Sequence, residues 1–249
     1  MNNDKPERLQ LEGRNPVLEA INHDKSIDKI LFKKGEIEGT LKMILAKAKA
    51  KGIVTQEVAR QKLDEISETG NHQGVIALCP AYEYCEVPDM LAAAKEKDAT
   101  PFLLILDGIT DPYNLGAVIR TAEACGVHGI IIPKRRAVGI TGVAAKASAG
   151  AAEHVRVARV NNLSRVIEDL KKDGFWVACA DMDGQTMYKS SLTGPLAIVI
   201  GGEGEGVSRL VKEKCDFTVS IPMYGKIGSL NASVAAGVLM YEAVRQRER

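Results

Sequence analysis

Several signals that would assign this chain of 249 residues to a compartment or a cofactor class are missing. Basic and acidic residues nearly cancel, 33 against 32. Net charge therefore argues neither for nor against nucleic acid, because a basic face can hide in a neutral average. No apolar run approaches the roughly 20 residues needed to span a bilayer. The opening Met1-Asn2-Asn3-Asp4-Lys5-Pro6-Glu7-Arg8 has none of the apolar core of a secretory signal. The expected location is the cytoplasm. Cys79, Cys85, Cys125, Cys179 and Cys215 show no paired C-x-x-C spacing. They read as buried free thiols in a reducing compartment, with no metal site and no disulfide. The dinucleotide fingerprint G-x-G-x-x-G is absent as well, which argues against a nicotinamide-dependent dehydrogenase.

What is present is an α/β pattern long enough for two domains. In the first, a strand end, a turn and a short helix occupy 11–21, with Asn15 as N-cap and Pro16 at the first helical position. Strands are predicted over 27–32, 53–54 and 75–79, and helices over 37–51 and 56–66. The domain closes near Pro80, after a polar and frayed start over 1–9. Residues 81–100 form a linker of limited flexibility, helical from Pro88 to Lys97. The second domain, 101–249, begins with the buried strand Phe102-Leu103-Leu104-Ile105-Leu106-Asp107. Strands follow over 127–132, 155–160 and 175–180, and helices over 143–152 and 163–172. The basic turn Pro133-Lys134-Arg135-Arg136 makes Lys134 and Arg135 candidate phosphate contacts, although such a triplet is also an ordinary solvated loop. Asp181-Met182-Asp183-Gly184 offers two carboxylates without a third ligand and reads as a turn, so no metal is assigned.

Three stretches carry the chemistry. Leu196-Ala197-Ile198-Val199-Ile200 is a buried parallel strand, ending in Gly201-Gly202-Glu203-Gly204-Glu205-Gly206. Glycines at the carboxyl end of such a strand let backbone approach a ligand, where open α/β sheets place their sites. Ser220-Ile221-Pro222-Met223 leads to Ser229-Leu230-Asn231, the start of a helix rich in small residues, and Ser229 or Asn231 can cap it. Asn114-Leu115-Gly116-Ala117-Val118-Ile119-Arg120-Thr121-Ala122 opens another helix. On it Arg120 projects away from Asn114 and has one acidic neighbour at helical spacing, Glu123, so a surface salt bridge is the bland alternative to a functional role, which is the stronger reading.

Together, the segments 114–122, 200–207, 221–223 and 229–235 resemble the three motifs of the SpoU/TrmH family of the SPOUT superfamily. These are S-adenosylmethionine-dependent RNA ribose 2′-O-methyltransferases. The resemblance implies a C-terminal parallel-sheet domain with a deep trefoil knot, and a homodimer formed through it. It places Gly201, Gly202, Gly204, Ile221 and Leu230 at the donor, and Arg120, Asn114, Glu203, Ser229 and Asn231 in catalysis. Gly13-Arg14-Asn15-Pro16-Val17 and His72-Gln73-Gly74-Val75 are similar to the RNA substrate-binding domain of the family's ribosomal members. That makes Arg14 and His72 candidate RNA contacts, with a surface arginine and an ordinary turn as equal alternatives. The substrate implied is RNA, foremost a guanosine in 23S rRNA. A tRNA ribose, or a non-catalytic ribosome-assembly role on the same scaffold, stands as the alternative.

Overall fold

The protein, as a computed structural model, is described over residues 9–79, 82–96, 99–226 and 228–248. The expected frayed start, the boundary at Pro80 and the helix end at Lys97 lie outside these residues. The chain divides into two compact units, 1–83 and 84–249.

The first unit comprises β1 (Leu9–Glu12), α1 (Arg14–Asn22), β2 (Lys29–Lys33), α2 (Thr40–Ala50), β3 (Val54–Val58), α3 (Arg60–Ile66) and β4 (Val75–Cys79). Its sheet runs β1-β4-β2-β3, with β2 and β3 parallel and the other pairs antiparallel. Alternation along β2 sends Ile30 and Phe32 into a core with Val17, Ile21, Leu41, Ile44 and Val75. Leu31 points to the other face, against Leu63 and Ile76.

Three local expectations change here. Residues 56–58 pair with β2 as strand, so the helix predicted from Gln56 starts at Arg60. The helix predicted from Ile37 begins at Thr40 behind Gly39 (φ 56°), leaving Ile37 exposed. Asn15 is not a cap and Pro16 is not the first helical residue: α1 already starts at Arg14, after Gly13 (φ 95°). The Gln73 side chain supplies the missing acceptor, its Oε1 taking the Arg14 N–H at 3.2 Å.

The second unit holds α4 (Val87–Glu96), β5 (Phe102–Asp107), α5 (Pro112–Ala124), β6 (Gly129–Pro133), α6 (Gly142–Ala147), β7 (Val157–Val160), α7 (Leu163–Lys172), β8 (Trp176–Thr186), β9 (Leu196–Gly201), α8 (Arg209–Lys212), β10 (Phe217–Ser220) and α9 (Ala232–Arg247). Its sheet is parallel throughout, ordered β10-β8-β9-β5-β6-β7. Leu103, Ile105, Ile131, Val177 and Val199 form one buried face with Leu163, Ile167 and Leu170 of α7. The alternate residues Leu104, Leu106, Ile198 and Ile200 are buried on the other. There α9 meets β9 and α5, which in turn packs on α6.

Inside the predicted linker, α4 is core rather than connection. Met90 is fully buried in the same cluster, and a Cβ on Gly129 would lie 2.3 Å from its sulfur. The helix predicted over 143–152 ends at Ala147, because Ala149 and Gly150 turn left-handed (φ 52° and 91°). The strand predicted to stop at 180 continues as β8 to Thr186. Chain direction away from the sheet reverses between β5, which leads to β6, and its neighbour β9, which leads to β10. Such switch points form a crevice at the strands' carboxyl ends.

Candidate active site

The crevice is built on glycine for two physical reasons. At Gly201 a Cβ would lie 2.1 Å from the Gly206 carbonyl carbon, and at Gly202 it would lie 2.2 Å from the Gly108 oxygen. No side chain fits at either. Gly204 and Gly206 hold φ of 90° and 67°, the left-handed region that costs glycine least. The loop they make is tied at both ends to Asp107. Its carbonyl accepts the Gly202 N–H at 2.8 Å, and its carboxylate accepts the Ser208 N–H at 2.8 Å and hydroxyl at 2.6 Å.

This loop walls a cavity of about 650 Å³. Ile200, Val219, Ile221, Leu230 and Leu239 give it an apolar slot, and Glu203, Ser229 and Asn231 stand on its polar side. All five residues assigned to the donor, Gly201, Gly202, Gly204, Ile221 and Leu230, line it. So does a segment with no signal of its own in the sequence, Ala180-Asp181-Met182. Thr218 pairs with Cys179 but Val219 with Gln185, so residues 180–184 bulge out of the β8–β10 ladder. Gly184 is therefore no turn glycine; its Cβ would lie 2.6 Å from the Thr218 carbonyl. Asp181 and Asp183 serve Lys212, at 2.7 and 3.9 Å. The Lys212 hydrogen bond holds the Asp181 carboxyl below the usual carboxylate range.

Three of the predicted catalytic residues meet. Asp111 caps α5 through the Tyr113 N–H with Pro112 behind it, and that start buries Asn114. Glu203 Oε1 accepts from Asn114 Nδ2 at 3.2 Å and from Asn231 Nδ2 at 2.6 Å, and Asn231 Nδ2 also reaches Asn114 Oδ1 at 3.0 Å. Asn231 also caps α9, its Oδ1 accepting the Ser233 N–H at 3.0 Å and the Val234 N–H at 3.3 Å. Capping falls to Asn231 and not to Ser229. One residue thus links the glycine loop, α5 and α9.

Arg120 stands apart. It is exposed on α5 and does not line the cavity. Among the described residues it makes no hydrogen bond and no ion pair, so the Glu123 salt bridge is not formed. Lys134 and Arg135 are exposed in the turn after β6. In the first unit, Arg14 spends its Nε on the Gln73 carbonyl at 3.3 Å. His72 is not a free RNA contact. It is buried, with Nε2 2.8 Å from Asp64 Oδ1 and Nδ1 accepting the Gly74 N–H at 3.0 Å. Both ring nitrogens are consumed, one by α3 and one by the turn itself. Of the thiols, Cys79 and Cys179 are buried, whereas Cys85, Cys125 and Cys215 are half-buried. Among the described residues no three His, Cys, Asp or Glu side chains gather as metal ligands.

Similarity to known proteins points to one family. Residues 101–241 match the SpoU rRNA Methylase family, and residues 10–85 match an RNA 2′-O ribose methyltransferase substrate-binding family. A Bacillus subtilis (strain 168) protein assigned to the TrmH family of tRNA/rRNA methyltransferases is 51% identical over 94% of each chain. The SpoU methyltransferase AviRb of Streptomyces viridochromogenes, solved in complex with AdoMet, shares the fold. Its TM-score is 0.59 at 24% identity, over 96% of this chain and 90% of that one. A TrmH/SpoU tRNA modifying enzyme of A. aeolicus, 27% identical with TM-score 0.55, covers 64% of this chain and 85% of its own.

Proposed function

Because the chain belongs to the SpoU rRNA methylase family, we propose that it methylates the ribose 2′-hydroxyl of a guanosine in 23S rRNA. S-adenosylmethionine fits the cavity by size, by its apolar slot for adenine, and by a glycine edge that admits no side chain. Gly201, Gly202, Gly204, Ile221 and Leu230 would hold it, and it supplies an electrophilic methyl group on sulfur. The observation that carries the reading is the meeting of Asn114, Glu203 and Asn231 beside that cavity.

The chain's own part is orientation and charge. Glu203 fixes both amides, and Ser229 and Asn231 hold the ribose beside the cavity. Arg120 acts on the 2′-oxygen, as the proton acceptor that the family resemblance implies or as a donor to the developing 2′-alkoxide or an RNA phosphate. Lys134, Arg135 and Arg14 give the RNA backbone cationic partners. The family reading also carries a threaded C-terminal segment, a homodimer through the second unit, and action in the cytoplasm. Val234 and Tyr241, seven apart on α9 and both exposed, offer that dimer a stripe.

The matched substrate-binding segment favours ribosomal RNA over tRNA, since the tRNA modifying enzyme of A. aeolicus aligns with only part of this chain. The test is a map of ribose methylation in RNA from cells with and without the protein. Loss of one 23S mark supports the reading. Loss of a tRNA mark moves it to the tRNA alternative, and no loss of any mark favours the assembly factor.

A further inference from the structure

The bulge over 180–184 is costly as sheet structure. It takes five residues out of the β8–β10 ladder directly after Cys179, where β8 is paired on both sides. It is nevertheless firmly held. Lys212 Nζ binds Asp181 Oδ2 at 2.7 Å, the Asp183 N–H reaches Asp181 Oδ1 at 3.3 Å, and the Ser220 hydroxyl donates to the Gly184 carbonyl at 2.8 Å. Bulges of this kind collect beside sites, where they re-aim a side chain. Here the re-aimed residues are Ala180, Asp181 and Met182, and all three face the cavity.

We propose that Asp181 is a hydrogen-bond acceptor for the bound methyl donor, taking either its ribose hydroxyls or its α-ammonium group. The inference rests on the cavity being the donor site. The charged side chains lining the cavity are Asp181, Glu203 and Glu205. Glu203 gives one oxygen to the amides of Asn114 and Asn231 and sits in that cluster, Glu205 is exposed to solvent, and the remaining wall is mostly apolar or glycine backbone. A donor with a vicinal diol and an ammonium group needs an acceptor on that wall. Lys212 takes one oxygen of Asp181 but leaves a quarter of its side chain open. A carboxylate has lone pairs for both partners.

Calorimetry on the full-length protein tests this with three ligands. S-adenosylhomocysteine carries both groups, 5′-methylthioadenosine lacks the ammonium, and 2′,3′-dideoxy-S-adenosylhomocysteine lacks the diol. Asp181→Asn should weaken S-adenosylhomocysteine about tenfold or more, the usual scale for a hydrogen bond to a charged group. Lys212→Met breaks the same ion pair but keeps the carboxylate, and should stay within about threefold. A penalty that vanishes with methylthioadenosine identifies the ammonium; one that vanishes with the dideoxy ligand identifies the diol. An equal penalty for all three ligands, or a Lys212→Met loss as large as that of Asp181→Asn, would show that Asp181 only shapes the bulge. If the wild-type protein binds none of them, the donor-site reading itself fails.

Discussion

The two units treat their polar side chains in opposite ways. In the first, Glu12 is saturated: it accepts from Gln10, from the Ser67 and Thr69 hydroxyls, and from the Glu68 and Thr69 N–H groups. His72 uses both ring nitrogens, and Gln73 caps α1 with its side-chain oxygen. In the second, among the described residues, Glu203 uses one oxygen and leaves the other without a partner, and Arg120 uses none of its donors. A polar group whose capacity is spent inside the fold is holding the fold. One left open beside a cavity or in solvent is available to a ligand. By that measure the first unit's conspicuous turn residue is spent on the fold, while the second unit's exposed arginine is left open to a ligand.

Arg120→Ala would break the comparison most sharply, since nothing in the fold depends on this side chain. Single-turnover methylation should fall by ~10²–10⁴, the scale for losing a positioned proton acceptor or oxyanion donor, with donor affinity and thermal stability unchanged. Arg120→Lys separates the two roles in part. Recovered rate with a shifted pH profile would favour proton removal, whereas a Lys variant as slow as Ala would favour the planar donor. Near wild-type rate in Arg120→Ala would return the residue to ordinary surface.

Gly202→Ala comes next. Its Cβ would meet the Gly108 oxygen at 2.2 Å, backbone that cannot yield without moving the loop. Overpacking on the order of 1–3 kcal/mol predicts donor binding weakened roughly tenfold to a hundredfold by calorimetry. Gly225→Ala is the control, because nothing lies within 4 Å of its Cβ. Equal losses in both variants would mean that general loop stiffness, not close approach, governs the donor site.

His72→Ala probes the other unit. It leaves the buried Gly74 N–H without its acceptor, so the first unit should lose about 1–3 kcal/mol in denaturant unfolding. Donor affinity should not change. Intact stability with weakened RNA binding would make His72 an RNA contact after all.

What could be read in the sequence follows the same division. The strand into Gly201, the helix after Asn231 and the motif residues beside the cavity were legible because glycine and asparagine there answer local demands: close approach, positive φ, capping. The bulge was not. Asp181-Met182-Asp183-Gly184 has the composition of a turn, and only the pairing of β8 with β10 shows it to be strand thrown out of register. The start of α1 was missed because its cap comes from Gln73, far along the chain. Residues 56–58 became strand because β2 lies beside them, and α4 became core because Gly129 leaves room for Met90. In each case a distant partner overrode a local preference. The role of His72 was equally hidden, since saturation of a side chain is a property of its neighbours.

The smallest expected effect belongs to Glu12, and it distinguishes saturation from mere proximity. Burial alone would raise its pKa, but the Ser67 and Thr69 hydroxyls and the Glu68 and Thr69 N–H groups outweigh that, lowering it from 4.5 to about 2. A folded pKa below the unfolded one means the carboxylate stabilises the fold fully above about pH 4.5. That contribution drains away as pH falls toward 2. The carboxylate is partly open to solvent, so its share is discounted to about 1–2 kcal/mol. Wild type and Glu12→Gln should therefore differ by that amount at about pH 6 and converge toward about pH 2, read as unfolding free energy in urea. Protection of the Glu68 and Thr69 amides against exchange, relative to their intrinsic rates at each pH, should fall over the same window in the wild type alone. A difference between the two proteins that stays constant across that window would mean that Glu12 contributes shape and not charge, and that its hydrogen bonds are worth no more than those of a neutral amide.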